Sequence, residues 1–331
     1  MMVETPYLLF IGDAKDQLSI KLAQGVADWK PELAVGEWRM PGCTVSTGIP
    51  ETGLLQGVEK GAKTLVLGFT NSGGVIDQQW VPDILAALNH GLDVASGLHQ
   101  KLDSIPIIKE TAERLGRKLI DVRHPQQSFD TGKGIKRTGK RLLTVGTDCS
   151  VGKMYTALAI EKCMQAQGFD VSFKATGQCG IFIAGEGVAI DCVVADFISG
   201  AVEQLSPNNQ DSHWDIVEGQ GSLYHPSFAG VSLGLIHGAQ PDVLVVCHAA
   251  EREHMRGVPD YPLPSVRQTI DINLQHASLT NPNVKCAGVA INTSMLNETD
   301  AHALCQKYQA ELNMPCVDPL RHGVEAIVKL L

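Results

Sequence analysis

The eight residues Gly146-Thr147-Asp148-Cys149-Ser150-Val151-Gly152-Lys153 set a glycine at each end of a loop and a lysine directly after it. That combination suits one task, the holding of a polyanion. Glycine lets successive backbone N–H groups turn inward, a following helix adds its partial positive charge, and the ammonium adds a full one. The flanks agree. Leu142 to Val145 is a short apolar run, read as a buried strand. From Lys153 onward Ala157, Leu158 and Ile160 share a helical face, which Gly168 ends. Strand, glycine loop, lysine and helix together make a phosphate-binding P-loop. Two features depart from the common form. Five residues separate Gly146 from Gly152 instead of four, and Met154 stands where a hydroxyl ordinarily ligates Mg²⁺. A thioether is a poor ligand for a hard cation. The stretch Gly146 to Tyr155 is therefore expected to hold phosphates, and Mg²⁺-assisted phosphoryl chemistry is disfavoured.

Stepping outward from the loop, strands alternate with helices. Strands are expected at Tyr7–Ile11, Val35–Trp38, Thr64–Phe69, Asp93–Ser96 and Lys118–Val122, with helices over Leu18–Val26, Val81–His90 and Ile107–Leu115. This is an α/β pattern with a parallel sheet, and its polar loops Gly12–Asp13, Phe69–Gly74 and Gly97–Gln100 all follow strands. Residues 1–123 thus form a Rossmann-like domain without a G-x-G-x-x-G motif. Residues 124–139 read as a glycine-rich linker whose bases include Lys136 and Arg137, with Lys140 just beyond; these are either solvated or meet an anion in the loop. Residues 140–331 form the P-loop domain. Its further strands are Val171–Ala175, Trp214–Val217, Val243–His248, Ala287–Ile291 and Cys316–Val317.

Bulk composition bounds the function. A net charge of −9 argues against a broad nucleic-acid surface. No apolar run approaches membrane-spanning length, and the N-terminus lacks a signal peptide's basic start and apolar centre. Nine cysteines, an odd number without C-x-x-C spacing, read as free thiols of a reducing cytoplasm, not as structural zinc or disulfides. The expected partners are small molecules, with no nucleic acid and no membrane; self-association is left open.

Other polar clusters end on the same side as the P-loop. Lys174 lies in the strand leading into T-G-Q-C-G, Glu218 opens E-G-Q-G-S-L-Y-H-P, and Asn292 ends the strand Ala287–Ile291. At the level of the superfamily these pieces resemble dethiobiotin synthetase, whose loop G-T-D-T-x-V-G-K also carries the extra residue. Over both domains the chain more closely resembles a bacterial family long classed as a domain of unknown function. One branch of that family is the D-glutamate N-acetyltransferases. The shared pieces are A-S-G-L-H, G-T-D-C-S-V-G-K-M, E-G-Q-G-S-L-Y-H-P and L-G-L-I-H-G-A-Q-P-D. The resemblance implies an acyltransferase that moves acetyl from acetyl-CoA to the amine of D-glutamate or a similar D-amino acid, a step in D-amino-acid catabolism. Coenzyme A offers a pyrophosphate and no phosphoryl group to transfer, which suits a P-loop carrying Met154. Asn292 would then read adenine.

Amide formation from a thioester needs a base for the amine, donors for the oxyanion, and an acid or a positive field for the thiolate. Glu218 and His225 are the base candidates, with Lys174 beside them as a catalytic candidate; His99 and His124 are reserves. Cys149 precedes a helix and lies near Lys153, so its thiol is expected to be acidified, which allows an acyl-enzyme route. A dicarboxylate acceptor needs cations. Arg252 and Arg256, four apart and on one face if E-R-E-H-M-R is helical, are the first candidates, with Gln220 and Ser222 as polar contacts and Arg267 and Arg39 as further cations. The active site is expected in the cleft between the domains. No resident metal is expected. Two alternatives stand beside this reading: an ATP- and Mg²⁺-dependent ligase or carboxylase, and a nucleotide-binding sensor without turnover.

Overall fold

Tyr7–Gly12 and Val243–Ala249 are buried along their whole length. Strands so covered on both faces belong to parallel sheets flanked by helices. The computed structural model describes residues 3–331 and contains two such sheets, each in its own unit.

The first unit comprises the residues up to 127 together with 177–192. Its elements are β1 (Tyr7–Gly12), α1 (Lys21–Trp29), β2 (Ala34–Arg39), α2 (Leu54–Glu59), β3 (Thr64–Leu67), α3 (Val81–Asn89), β4 (Asp93–Ser96), α4 (Pro106–Leu115) and β5 (Leu119–Asp121). The helix expected at 18–26 starts later, because Asp16 caps a preceding 3-10 turn by accepting from the Ser19 N–H at 2.9 Å. The sheet order is β2-β1-β3-β4-β5 and every pairing is parallel. That is the doubly wound order whose switch point lies between β1 and β3. Its core packs Phe10, Phe69 and Trp80 with aliphatic side chains from β3, β4 and α3.

The second unit comprises 128–176 and 193–331. In chain order come β6 (Lys140–Gly146), α5 (Lys153–Ala166) and β7 (Val171–Lys174), then α6 (Gln178–Ala184), which packs in the first unit. There follow α7 (Ile198–Leu205), β8 (Trp214–Val217), α8 (Ala229–Ala239), β9 (Val243–Ala249), a hairpin of β10 (His254–Met255) and β11 (Val258–Pro262), α9 (Val266–Ala277), β12 (Lys285–Asn292), α10 (Glu298–Leu312), β13 (Cys316–Val317) and α11 (Glu325–Val328). The sheet order is β13-β12-β9-β6-β8-β7, with parallel pairing throughout. β6 is central, so the loop it delivers emerges between the ends of β8 and β9.

The expected linker stays largely exposed, but its backbone and its arginines are anchored on the second unit's helices. Glu203 of α7 accepts from the N–H groups of Lys133 and Gly134 at 2.9–3.0 Å. Arg141, fully buried, donates to the Ser206 hydroxyl and to the carbonyls of Arg137, Thr138, Gly139, Ser206 and Pro207. Arg137 reaches the carbonyls of Ser206 and Gly238. The two arginines thus satisfy backbone oxygens at the C-terminal ends of α7 and α8, which such cations favour. Lys136 pairs with Asp242, and Lys140 lies over the Trp214 ring. All lie near the start of β6, about 20 Å along the strand from the loop at its end. The reading of these bases as partners of a loop-bound anion is therefore corrected.

Candidate active site

Gly146 ends β6 where a side chain cannot fit: a Cβ would lie 2.7 Å from Val151 Cγ2 and 3.2 Å from the Cys247 carbonyl. The loop folds tightly back here. Ser150 and Gly152 take left-handed conformations, φ 52° and 97°. Such changes of hand turn successive N–H groups to one side and form an anion-binding concavity. Thr147 is held on three sides. Its N–H donates to the Cys247 carbonyl at 3.0 Å, its hydroxyl meets His248 Nδ1 at 3.1 Å, and its carbonyl accepts from the Ser222 hydroxyl at 3.1 Å.

Asp148 is fully buried. Its Oδ1 accepts from the Cys149 N–H at 2.6 Å, and its Oδ2 from Arg252 Nη1 at 2.9 Å and the Arg256 N–H at 2.8 Å. Lys153, also buried, donates from Nζ to the Asp148 carbonyl at 2.7 Å. Burial pulls its pKa below the ordinary lysine value, against the opposing pull of Cys149, Cys247, Asp148 and Glu218. Cys149 departs from expectation. Burial pushes its thiol up, and the nearby Lys153 only partly offsets this. Desolvation of the thiolate outweighs the positive field, so the acyl-enzyme route loses its chemical motive.

Glu218 closes β8 and is buried. Its Oε2 accepts from the Thr176 N–H at 2.9 Å, and the Thr176 hydroxyl donates to its carbonyl at 2.6 Å. Gly219 brings this turn onto β6: a Cβ there would lie 1.7 Å from the Thr144 carbonyl oxygen and 2.9 Å from Lys153 Cδ. Glu218 is therefore carried to the base of the phosphate loop. Gln220 donates to the Thr176 hydroxyl at 3.2 Å. Ser222, expected as a substrate contact, is buried and donates its hydroxyl to the loop it braces. Met154 and Tyr155 open α5, partly buried. Asn292 ends β12, and its Oδ1 accepts from the Ser294 N–H at 3.0 Å. Its Cβ is 4.0 Å from where a side chain at Gly152 would begin, which places it at the loop's far end.

Three further expectations change. His225 uses both ring nitrogens on backbone: Ser227 N–H donates to Nδ1 at 3.1 Å, and Nε2 meets the Arg256 carbonyl at 3.0 Å. With Nδ1 accepting, Nε2 carries the proton, and no lone pair is left for a base. Lys174 directs its ammonium to Asp215 Oδ1 at 3.4 Å, within a cluster of Ser172, His213 and Ser206 below the strand end, and not to the loop. Arg252 and Arg256 do not share a helix. They flank and tip the β10–β11 hairpin, where Gly257 at φ 81° makes the turn. Both still reach the loop. Arg252 adds donors to the carbonyls of Cys149 at 2.6 Å and Ser150 at 3.3 Å, and exposed Arg256 donates to the Ser150 hydroxyl. Arg267 lies elsewhere, on the Leu312 carbonyl, and Arg39 pairs with Glu37 and Glu51 in the first unit.

His248 was not singled out by sequence. It sits near the end of β9 between the Thr147 hydroxyl and the Tyr308 hydroxyl, the latter at 3.4 Å. Burial, then Arg252, pulls its pKa down to about 4. The signal was available, since His248 ends a predicted strand on the side where the other polar clusters lie.

Comparison with known proteins adds to this geometry. Residues 38–125 match the Rossmann-like domain and residues 128–328 the P-loop domain of the family called DUF1611, a domain of unknown function. The chain is 56% identical over 328 residues to a D-glutamate N-acetyltransferase of Pseudoalteromonas sp, covering 99% of each. It is 49% identical over 330 residues to a D-glutamate N-acetyltransferase of Tritonibacter scottomollicae, covering 100% of this chain and 99% of that one. A crystal structure of a DUF1611 family protein from Anabaena variabilis superposes with a TM-score of 0.87 at 29% identity, over 98% of both chains. No helix among the described residues is long and apolar enough to cross a membrane.

Proposed function

The chain belongs to the DUF1611 family, and from that membership we propose that it is a D-glutamate N-acetyltransferase. The observation that carries this is the 56% identity, end to end, with a protein of that activity. The acetyl donor in our reading is acetyl-CoA, held by its pyrophosphate in the loop 146–155. The loop suits this. It has the left-handed turns of an anion cradle, and its one buried carboxylate is already paired with Arg252, so an entering anion does not face a bare negative charge. Asn292 at the loop's far end is the residue we assign to the adenine. The nine free cysteines accord with a reaction in a reducing cytoplasm.

The chemistry asked of the chain is modest. The α-ammonium of D-glutamate must lose a proton before its nitrogen attacks the thioester carbonyl carbon; the C–S bond then breaks, and the leaving thiolate takes up the second proton shed by the nitrogen and departs as the CoA thiol. We assign the proton to Glu218, which β8 carries to the base of the loop. His225 has no lone pair to offer, and Lys174 faces Asp215. Exposed Arg256, at the hairpin tip beside the loop, is our candidate for an acceptor carboxylate. A ligase reading would require Mg²⁺ held at residue 154, and Met154 offers a thioether where a hydroxyl ligates.

Mixing the protein with acetyl-CoA and D- or L-glutamate, while following thiol release and product mass, tests the function. Release with D-glutamate, without ATP, is expected. ATP hydrolysis with no acetylated product overturns the reading. Glu218→Gln should lower kcat by about 10²–10⁴ with CoA affinity little changed. If the variant keeps wild-type kcat, the base is another residue.

A further inference from the structure

The phosphate loop carries a carboxylate that an anion-binding site must neutralise. Asp148 is fully buried, and a phosphate brought beside it would be repelled unless a cation lay between them. Three cations could serve: a divalent metal, Lys153 or Arg252.

Lys153 gives one of its three donors to the Asp148 backbone carbonyl, whereas Arg252 Nη1 and the Arg256 N–H meet Oδ2 of the carboxylate. For a metal held by this chain's side chains alone at Asp148, the donor set is Asp148, Cys149 and His225. This is the one group of three potential ligands that the described residues bring together, within 4.8 Å of one another. Each member is spent. Asp148 Oδ2 accepts from Arg252 and Arg256, His225 Nε2 lies on the Arg256 carbonyl, and burial pushes the Cys149 thiol up. Met154 removes the usual hydroxyl ligand. These residues do not fit a resident divalent ion at Asp148.

Arg252 does fit. Its Nη1 lies on Asp148 Oδ2 and on the Cys149 carbonyl, and its Nη2 on the Ser150 carbonyl. Peptide planarity has a consequence here. Where the carbonyls of residues 149 and 150 point to the guanidinium, the N–H groups of Ser150 and Val151 point away from it, free to face an anion.

We infer that Arg252 is the built-in cation of this loop: its guanidinium neutralises the buried Asp148 carboxylate, so that an entering anion needs no divalent ion there. The loop then binds the pyrophosphate of its ligand without metal. This inference rests on the acetyl-CoA reading above.

The test uses full-length protein and calorimetric titration with CoA, in EDTA and again with Mg²⁺ or Mn²⁺. Wild type should bind equally in both. Arg252→Ala should bind about 10- to 100-fold more weakly in EDTA, and the divalent ion should restore most of the loss, because a buried carboxylate left unpaired draws in another cation. Arg252→Lys keeps a cation and should stay indifferent to metal; it also guards against a folding defect in the alanine variant. In Asp148→Asn/Arg252→Ala the unpaired carboxylate of the loop is gone, so the rescue by metal should be lost. If wild type loses CoA on chelation, or Arg252→Ala stays folded and indifferent to metal, the inference is overturned while acetyl-CoA remains the donor. If wild type binds no CoA in either condition, the donor assignment fails and this inference fails with it.

Discussion

His248 shows what burial does to a single side chain beside the loop. Its ring is enclosed by Thr147, Tyr308 and the β9 backbone, with Arg252 as the nearest charge acting on it, and its pKa falls to about 4. An ordinary histidine titrates near 6.5. Between those values the unfolded chain binds a proton that the folded chain refuses, so stability rises with pH across the window. The contribution is whole above pH 6.5 and is lost as pH falls toward 4, roughly 3 kcal/mol in all. Urea unfolding from pH 7.5 down to 4.5 should show this loss in wild type and a flatter profile in His248→Asn. Matching slopes would mean that another group sets the acid limit. The same balance governs Cys149, where sequence position pointed to an acidified thiol and burial reverses the sign. Residue types at the loop were legible from the sequence; their protonation was not. It depends on solvent exclusion by partners as distant in sequence as Arg252, 104 residues from Asp148.

Elements follow the sequence where periodicity and burial agree. The eleven strands read from sequence recur within a residue or two at most ends, because buried parallel strands are short apolar runs bounded by glycine and polar turns. The hairpin after β9 does not take the helical form that would put Arg252 and Arg256 on one face, for an equally physical reason. Two arginines four apart fit a helix, but Gly257, Pro259 and Pro262 outweigh that spacing and favour a turn and an edge. The glycine of E-G-Q-G carries a demand that no pattern states. Gly219 lies so close to β6 that a methyl group would meet the Thr144 oxygen at 1.7 Å, and its N–H donates to the Thr144 hydroxyl at 3.0 Å. β8 cannot keep its place beside β6 at that point with any other residue. Gly219→Ala should destabilise by about 3 kcal/mol or more, at the upper end of overpacking costs. Gly230→Ala, in α8 with no atom within 4 Å of the added carbon, should be neutral or gain up to about 1 kcal/mol. Thermal melts of the pair decide; equal melting temperatures would deny the close approach of the two strands.

Over the whole molecule, sequence order and spatial order part company at one segment. Residues 177–192 follow β7 of the P-loop sheet, yet they pack in the first unit. Phe182 of α6 is fully buried, its ring meeting Tyr7 edge-on at 6.2 Å, and Ile181 and Ile183 are buried beside it. Gly97 lies so close to Gln178 that a Cβ would be 2.8 Å away, and Asp191 pairs with Arg123. No local pattern reveals this, because the partners are more than 60 residues apart and the segment's own periodicity fits either unit. The consequence is that residues 1–127 lack part of their own covering. Without 177–192, α1 and the start of β1 lose three large apolar neighbours, each worth about 1.5–3 kcal/mol when fully buried. A domain of this size has a margin of only about 5–15 kcal/mol. Expressed alone, residues 1–127 should therefore bind hydrophobic dye and unfold without a sharp transition. The same fragment joined through a flexible glycine-serine linker to 177–192 should melt cooperatively. Phe182→Ala in that fusion should return it toward the behaviour of the bare fragment, since it removes the ring that meets Tyr7. A cooperative melt from residues 1–127 alone, equal to that of the fusion, would show that the inserted segment is not part of the first unit's core.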